Sequence, residues 1–290
     1  MLAVFKKELR YYFTSAVGYV FMGVFLLMTG IFFASDLLGG GSSPSADYTN
    51  VLLSSTFLLL FLIPVITMKT LSEEARQKTD QLLFTAPVSI TRIVLGKYFA
   101  ALALFLIALL VTCINPLILS LFGKVAFAQT FGQILGFALL GATFIAIGIF
   151  ISSLTENQIV ALVATIGVLL LTYLISAITQ IIPTTLQSGI VLAGVLAAIL
   201  ILIIYFSTHN IFVTGITAIV SIAAIVTIYI IKKTLYEGFT SKFLGWFSLL
   251  DRFQAMVSGV LDFSSILYYI SFSFVFVFLS IRLIEKRRWS

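Results

Sequence analysis

Charged side chains are concentrated in one internal stretch of this 290-residue chain, from Met68 to Lys97. Glu73, Glu74 and Arg76 follow one another closely there, at a spacing that brings opposite charges together on a helix. Such a cluster either binds a partner protein or pairs locally on a solvated helix face, where each pair contributes roughly 0.2–0.5 kcal/mol. A position between two membrane spans favours binding of a partner protein over local pairing.

Residue types that carry catalysis are scarce in this sequence. The chain has one histidine, His209, and one cysteine, Cys113, so by itself it cannot form a disulfide framework or a Cys/His metal cluster. No G-x-x-x-x-G-K-[ST] sequence occurs, which excludes ATP hydrolysis through a phosphate loop of this chain. The apolar runs also lack the central charged residue that ion-coupled carriers usually hold. We therefore expect neither an enzyme nor a secondary transporter.

Hydropathy places the charged stretch between membrane spans. Hydrophobic residues make up 61% of the sequence and charged residues 10%, a balance typical of a polytopic membrane protein. Uncharged runs of about 20 residues, long enough to cross a bilayer, predict an all-α membrane helical bundle of about eight spans. The predicted spans are Ala16–Ser35, Val51–Met68, Tyr98–Phe122, Ala126–Leu154, three between Asn157 and Ile231 that are divided by Pro183–Gly189 and Ser207–Asn210, and Ser264–Leu283.

Basic residues predict the orientation of these spans. Short cytoplasmic loops carry an excess of Lys and Arg, and most of the 17 such residues are cytoplasmic if the N-terminus is inside. Five fall on the outer side, and the adjacent pair Lys232 and Lys233 among them counts most against this orientation. With eight spans, both termini and the loop over residues 69–97 are cytoplasmic.

Two further segments are predicted to lie along the membrane surface. In residues 1–15, Leu2, Phe5 and Leu9 repeat at helical spacing opposite basic residues, a pattern typical of an interfacial amphipathic helix. A secretory signal peptide is the alternative there. Residues 234–262 mix aromatic and charged side chains, which predicts interfacial or re-entrant helices on the outer face, with a simple linker as the alternative.

Three segments of the chain resemble the type-2 (ABC-2) ATP-binding-cassette transporter permeases, in particular the branch associated with gliding motility and multicopper-enzyme maturation. Ile63–Lys97 is similar to the family pattern I-P-x-x-T-M-x-x-x-x-E-E-x-R-x-G-T-x-E-x-L-L-T-x-P-V-S ending in G-K. Ile151–Ala161 resembles the family's cytoplasmic turn between spans four and five. Phe253–Phe272, with the C-terminal sequence EKRRW, resembles its outer-face segment and last span. The chain departs from the pattern at Lys78, where the family usually has Gly, and at Gln81, where it usually has Glu.

The resemblance implies a six-span permease core within residues 16–290, to which residues 190–231 add a two-span hairpin. It also implies that the 69–97 loop holds a coupling helix that seats in a separate ATPase subunit. The residues that the resemblance assigns to this contact are Glu73, Glu74, Arg76, Thr79, Leu82, Leu83 and Pro87. The turn formed by Glu156, Asn157 and Gln158 is either a second cytoplasmic contact or only a hydrophilic turn.

Partners and location follow from the same resemblance. It implies two copies of an ABC ATPase, which bind ATP and Mg so that this chain holds no cofactor, and a second permease copy or a homologous permease. Membrane lipids and an auxiliary membrane protein are further expected partners, whereas nucleic acid is not. The expected location is the bacterial cytoplasmic membrane, and the expected direction is export. The alternative is a membrane scaffold or assembly factor without transport of its own.

Overall fold

Thirteen α-helices form the part of the chain that the computed structural model describes, which is residues 1–39, 48–78, 89–122, 125–182, 185–233, 236–259 and 262–289. Their bounds are α1 Leu2–Thr14, α2 Ala16–Gly39, α3 Thr49–Thr67, α4 Ser72–Arg76, α5 Ile90–Thr112, α6 Ile114–Phe122, α7 Phe127–Leu154, α8 Gln158–Ile181, α9 Leu186–Thr208, α10 Ile211–Ile231, α11 Phe239–Phe247, α12 Leu249–Val257 and α13 Phe263–Trp289.

Eight helical segments within these residues are long and apolar enough to cross a membrane. They are Ala16–Leu37, Thr49–Arg76, Ile90–Leu121, Phe127–Leu154, Gln158–Thr179, Leu186–Ser207, Ile211–Ile231 and Phe263–Arg287. The predicted all-α, multi-pass membrane protein of about eight spans is confirmed.

Helix α5, which contains the third candidate span, begins at Ile90, before the predicted span start at Tyr98. Two basic residues in this stretch made it look like loop, yet both are accommodated in helix α5. Arg92 is exposed, and the buried Lys97 is paired with carboxylates of other helices. The C-terminal part of the predicted 69–97 loop is therefore helical, and the connection between α3 and α5 covers residues 68–89.

Residues Met1–Leu171 and Arg252–Ser290 form one compact unit, in which α7 is the central helix. Most of the apolar part of α7 is buried, and it packs against α3, α5 and α13. Two glycines permit these close approaches. A β-carbon on Gly148 would lie 2.3 Å from Oγ1 of Thr67 in α3, and one on Gly141 would lie 2.3 Å from the ring of Phe105 in α5.

The last span of this unit starts at a carboxylate cap. Asp262 accepts hydrogen bonds from the backbone N–H of Ser264 and the hydroxyl of Ser265, both at 3.0 Å. These bonds stabilise the charged carboxylate, the Ser264 amide most, and hold its pKa below the usual 3.8. Helix α13 therefore has one of its first unpaired amides satisfied by a negative charge.

Residues Thr172–Asp251 form the second unit. Helices α9 and α10 pack against each other, and their connection turns at His209, which is in the left-handed conformation with φ 47°. Asn210 then caps α10, because its side-chain oxygen accepts the Phe212 N–H at 2.9 Å. Neither helix is well buried within the chain: the apolar window of α9 is 6% buried and that of α10 is 0% buried.

Candidate functional site

The predicted ATPase-contact residues divide into a described and an undescribed group. Glu73, Glu74 and Arg76 lie on the short helix α4, where both glutamates are half-buried and Arg76 is exposed. The remaining predicted contact residues lie outside the described residues; they are Thr79, Leu82, Leu83 and Pro87. The structure therefore describes only the first part of the predicted ATPase contact.

Glu74 takes part in a buried group of three charges. Its Oε1 lies 2.8 Å from the Nζ of Lys97 in α5, and the same Nζ lies 3.1 Å from Oε1 of Glu8 in α1. Lys97 also donates to the backbone carbonyl of Thr70 at 2.6 Å, so the three protons of its ammonium have three acceptors. Since the Lys97 side chain is only 3% exposed, this group, here called the Lys97 triad, ties α1, α4 and α5 together.

Helix α1 makes a second buried contact next to the triad. The hydroxyl of Tyr12, whose side chain is 3% exposed, donates to the carbonyl of Ile66 at 2.9 Å. Burial, and then the nearby carboxylate of Glu8, raises the pKa of Tyr12 above its usual range, so the hydroxyl remains a donor. Helix α3 ends at Thr67, where its last carbonyls lack partners within the helix. Tyr12 supplies one.

Ser152 of α7 holds the start of α4 in place. Its hydroxyl oxygen accepts the backbone N–H groups of Leu71 at 3.2 Å and Ser72 at 3.1 Å, and its proton is donated to the carbonyl of Met68 at 3.1 Å. Ser152 and Ser72 are fully buried. The first turn of α4 is therefore capped by a residue that is distant in sequence, on a neighbouring span.

The turn after helix α4 contains Lys78, a residue that departs from the family pattern. Lys78 has φ 54°, in the left-handed region that glycine adopts at little cost and other residues avoid. The resembling family usually has Gly at this position. A positive φ at this position suits the glycine that the family usually has, and Lys78 of this chain adopts it at an energetic cost.

A cavity of about 400 Å³ lies beside the Lys97 triad, between α1, α3, α4 and α5. Its wall combines charged residues with the rings of Tyr11 and Tyr12. The charged residues are Lys7, Glu8, Lys69, Glu73, Glu74 and Lys97. Charged side chains of α1, α4 and α5 therefore line one shared cavity beside α4.

The second predicted contact, in the turn before α8, contains an exposed acid and a helix cap. Glu156 and Asn157 are exposed and Gln158 is half-buried. The side-chain oxygen of Asn157 accepts the Ile159 N–H at 2.9 Å, so Asn157 has a local role as the N-cap of α8. The cap fits the hydrophilic-turn alternative without testing a partner contact, so the contact role of Glu156, Asn157 and Gln158 stays a prediction.

Four side chains at this site were not singled out by the sequence, namely Glu8, Tyr12, Lys97 and Ser152. Lys97 carried a usable signal, because a lysine next to an uncharged run of span length needs a counter-ion if it is buried. Glu8 is the only acidic residue in the first 15 positions, which makes it a candidate for that partner. Nothing local distinguishes Ser152 from the other hydroxyl residues of the spans. Among the described residues, no cluster of three or more His, Cys, Asp or Glu is arranged to hold a metal ion.

The family comparison bears directly on this loop. The sequence model of a family described as "ABC-2 family transporter protein" matches residues 35–191, more than half of the chain. The chain belongs to the ABC-2 transporter family. Members of this family are membrane permease components of ABC transporters and typically work with an ABC ATPase partner. The match includes α3 through α8, and therefore α4, Lys97 and Ser152, whereas α10 lies beyond it. No curated protein matches this ABC-2 chain.

Proposed function

We propose that this ABC-2 protein is the permease subunit of an ATP-driven exporter and that the loop between α3 and α5 couples it to a separate ABC ATPase. The observation that carries the proposal is the anchoring of that loop. Side chains from α5 and α7 bond to residues 70–74 of the loop, and Tyr12 of α1 bonds to Ile66 just before the loop. A displacement of α4 therefore acts directly on α5 and α7, and on α1 through Lys97.

Exposed residues of α4 and the turn after it are available to a partner. Arg76, Gln77 and Lys78 are exposed, and Glu73 is half-buried with its carboxylate accepting a bond from the Gln77 amide at 3.3 Å. Glu74, by contrast, uses a carboxylate oxygen inside the bundle. We assign the electrostatic contact with the ATPase to Glu73 and Arg76, and a transmitting role to Glu74.

The assembly proposed around this chain follows the resemblance. Two ATPase subunits supply the ATP and Mg sites, and a second permease copy or a homologous permease completes the membrane part, in the branch associated with gliding motility and multicopper-enzyme maturation. The N-terminus, the C-terminus and the α3–α5 loop are placed on the cytoplasmic side of a bacterial inner membrane, because most of the Lys and Arg residues lie there. The largely apolar spans suit an amphipathic or lipid-like cargo, or a peptide.

Retention of an ATPase tests this function. A tagged chain purified from its own host should carry an ABC ATPase whose hydrolysis of MgATP is faster in the complex than alone. The double variant Glu73→Lys/Arg76→Glu should lose most of the bound ATPase. Glu237→Lys is the matched control, since Glu237 is exposed in the segment that the topology places outside. A chain that never retains an ATPase, or a double variant that retains it as well as the control does, would favour the scaffold alternative.

A further inference from the structure

We propose that helix α1 is a working part of the coupling apparatus. It acts as a brace that holds both ends of the α3–α5 loop at a fixed spacing, and Lys97 is the positioning residue through which it acts. The inference rests on the proposed function, because that function gives the loop its role. It adds a second element, at the N-terminus of the chain, to the path from ATPase to spans.

One face of α1 makes all of the contacts that support the brace. Val4, Glu8 and Tyr12 are spaced four residues apart, so their side chains lie along a single stripe of the helix. Tyr12 bonds to Ile66 at the end of α3, before the loop. Glu8 pairs with a residue of α5, after the loop.

The third member of the stripe sets the distance between α1 and α5. A β-carbon on Gly96 would lie 3.0 Å from Cβ of Val4, closer than side chains normally approach. Any larger residue at position 96 would push Val4 and α1 away from α5. The close approach places Glu8 within reach of Lys97, the residue that follows Gly96, so the packing and the ion pair support each other.

Charge makes the two ends of the brace interdependent. Lys97 is shared between Glu8 and Glu74, so one buried ammonium serves two carboxylates on different helices. If α4 moves and Glu74 leaves, Lys97 keeps Glu8 as its counter-ion, and the interaction with α1 becomes stronger. Groups that share a partner in this way do not contribute additively. A displacement of α4 therefore changes how firmly α1 is held.

A simple membrane anchor would not need this arrangement. The cationic residues Lys6, Lys7 and Arg10 are exposed on α1, and they suffice to hold an amphipathic helix at an anionic bilayer surface. The face turned toward the bundle would then be filled best by apolar side chains, because burying a carboxylate is costly unless it is paired. Glu8 is paired with Lys97, and Lys97 also pairs with Glu74 of α4.

The experiment measures the position of α1 relative to α4 in the full chain. Spin labels are placed at Leu2→Cys and Gln77→Cys, both exposed positions, in a Cys113→Ser background and in lipid nanodiscs. The parent should give one narrow distance distribution. Glu8→Gln should raise the separated population about tenfold, as expected for losing one charge-assisted hydrogen bond. Glu285→Gln, at a partly exposed acid of α13 that pairs with Arg282, is the matched control and should leave the distribution narrow.

A triple variant tests the triad without leaving an unpaired buried charge that could prevent folding. Lys97→Met alone would leave two carboxylates without their ammonium, whereas the triple variant Glu8→Gln/Glu74→Gln/Lys97→Met removes every charge of the triad and should fold. It should show the same broadened distance as Glu8→Gln. Rigid distances in both variants would overturn the brace.

The functional readout uses the complex with the ATPase. Glu8→Gln should retain the ATPase on purification but lower the stimulation of MgATP hydrolysis by about fivefold, since Glu8 does not touch the exposed face of α4. Unchanged stimulation would contradict the role of the brace in coupling. If no variant and no parent retains an ATPase, the proposed function fails, while the spin-label distances still decide whether α1 holds the loop.

Discussion

Replacing Ser152 by alanine should release the start of α4 while leaving the span that carries Ser152 intact. The hydroxyl of Ser152 is the shared partner of three backbone groups: it accepts the N–H groups of Leu71 and Ser72 and donates to the carbonyl of Met68. Both amide-bearing residues are buried, with Leu71 7% and Ser72 0% exposed. Water therefore cannot easily replace the lost oxygen.

The size of the effect follows from those two amides. Leaving one buried donor without an acceptor costs about 1–3 kcal/mol, so the two amides released by Ser152→Ala should destabilise the junction by roughly 2–6 kcal/mol. The neighbouring residue supplies a matched control. Ser153 is also buried, 1% exposed, but its hydroxyl donates only to the Phe150 carbonyl of its own helix. Ser153→Ala should therefore cost no more than about 1 kcal/mol.

Hydrogen exchange followed by mass spectrometry measures this prediction directly. Peptides covering residues 68–78 should exchange faster in Ser152→Ala than in the parent, by at least tenfold if about 1.4 kcal/mol or more of local stability is lost. Peptides within α13 should be unchanged in both variants. The reasoning would be refuted if Ser152→Ala and Ser153→Ala gave the same exchange over residues 68–78, because the two variants differ only in the contact with the loop.

The remaining predictions concern packing, a turn and a cap. Gly148→Ala should destabilise the α3–α7 contact by about 1–3 kcal/mol, lowering the thermal midpoint, whereas Gly167→Ala, with nothing within 4 Å of its new β-carbon, should not. Lys78→Gly should stabilise the end of α4 by up to about 1 kcal/mol, seen as slower hydrogen exchange, because its positive φ suits glycine. The pKa of Asp262 is lower in the folded state than its usual 3.8, so its carboxylate stabilises the folded state above pH 3.8 and loses this effect as the pH falls through the folded-state pKa. The thermal midpoints of the parent and of Asp262→Ala should therefore differ at neutral pH and converge in acid.

The spans could be predicted from the sequence because they depend on local composition. Each requires about 20 apolar residues without charge, and this condition is visible in a short window. The helix that contains the third span begins at Ile90, before the predicted span start at Tyr98, so its first turns include the charged residues Arg92 and Lys97. A window that counts charges treats Lys97 as a solvated residue, whereas in the fold its charge is neutralised by acids that are distant in sequence.

The candidate site was predicted only in part, and the boundary has a physical origin. Glu73, Glu74 and Arg76 stood out because their charges are unusual in an apolar chain. Their separate roles did not, because Glu74 turns toward a residue of another helix while Arg76 remains exposed. Whether a side chain of α4 faces the bundle depends on how α4 packs against its neighbours. That packing is a property of the tertiary structure and cannot be predicted from the five residues of α4 alone.

The rigid connection between the loop and the bundle has a simple cause in hydrogen bonding. Helix α3 ends within the protein, so the backbone groups of residues 66–72 cannot all be satisfied by water. Their partners are the hydroxyl of Tyr12, the ammonium of Lys97 and the hydroxyl of Ser152, which belong to three different helices. Any movement of α4 must lengthen at least one of these bonds or carry its helix along. The firm attachment of the loop to the spans therefore follows from satisfying the backbone of a buried helix end.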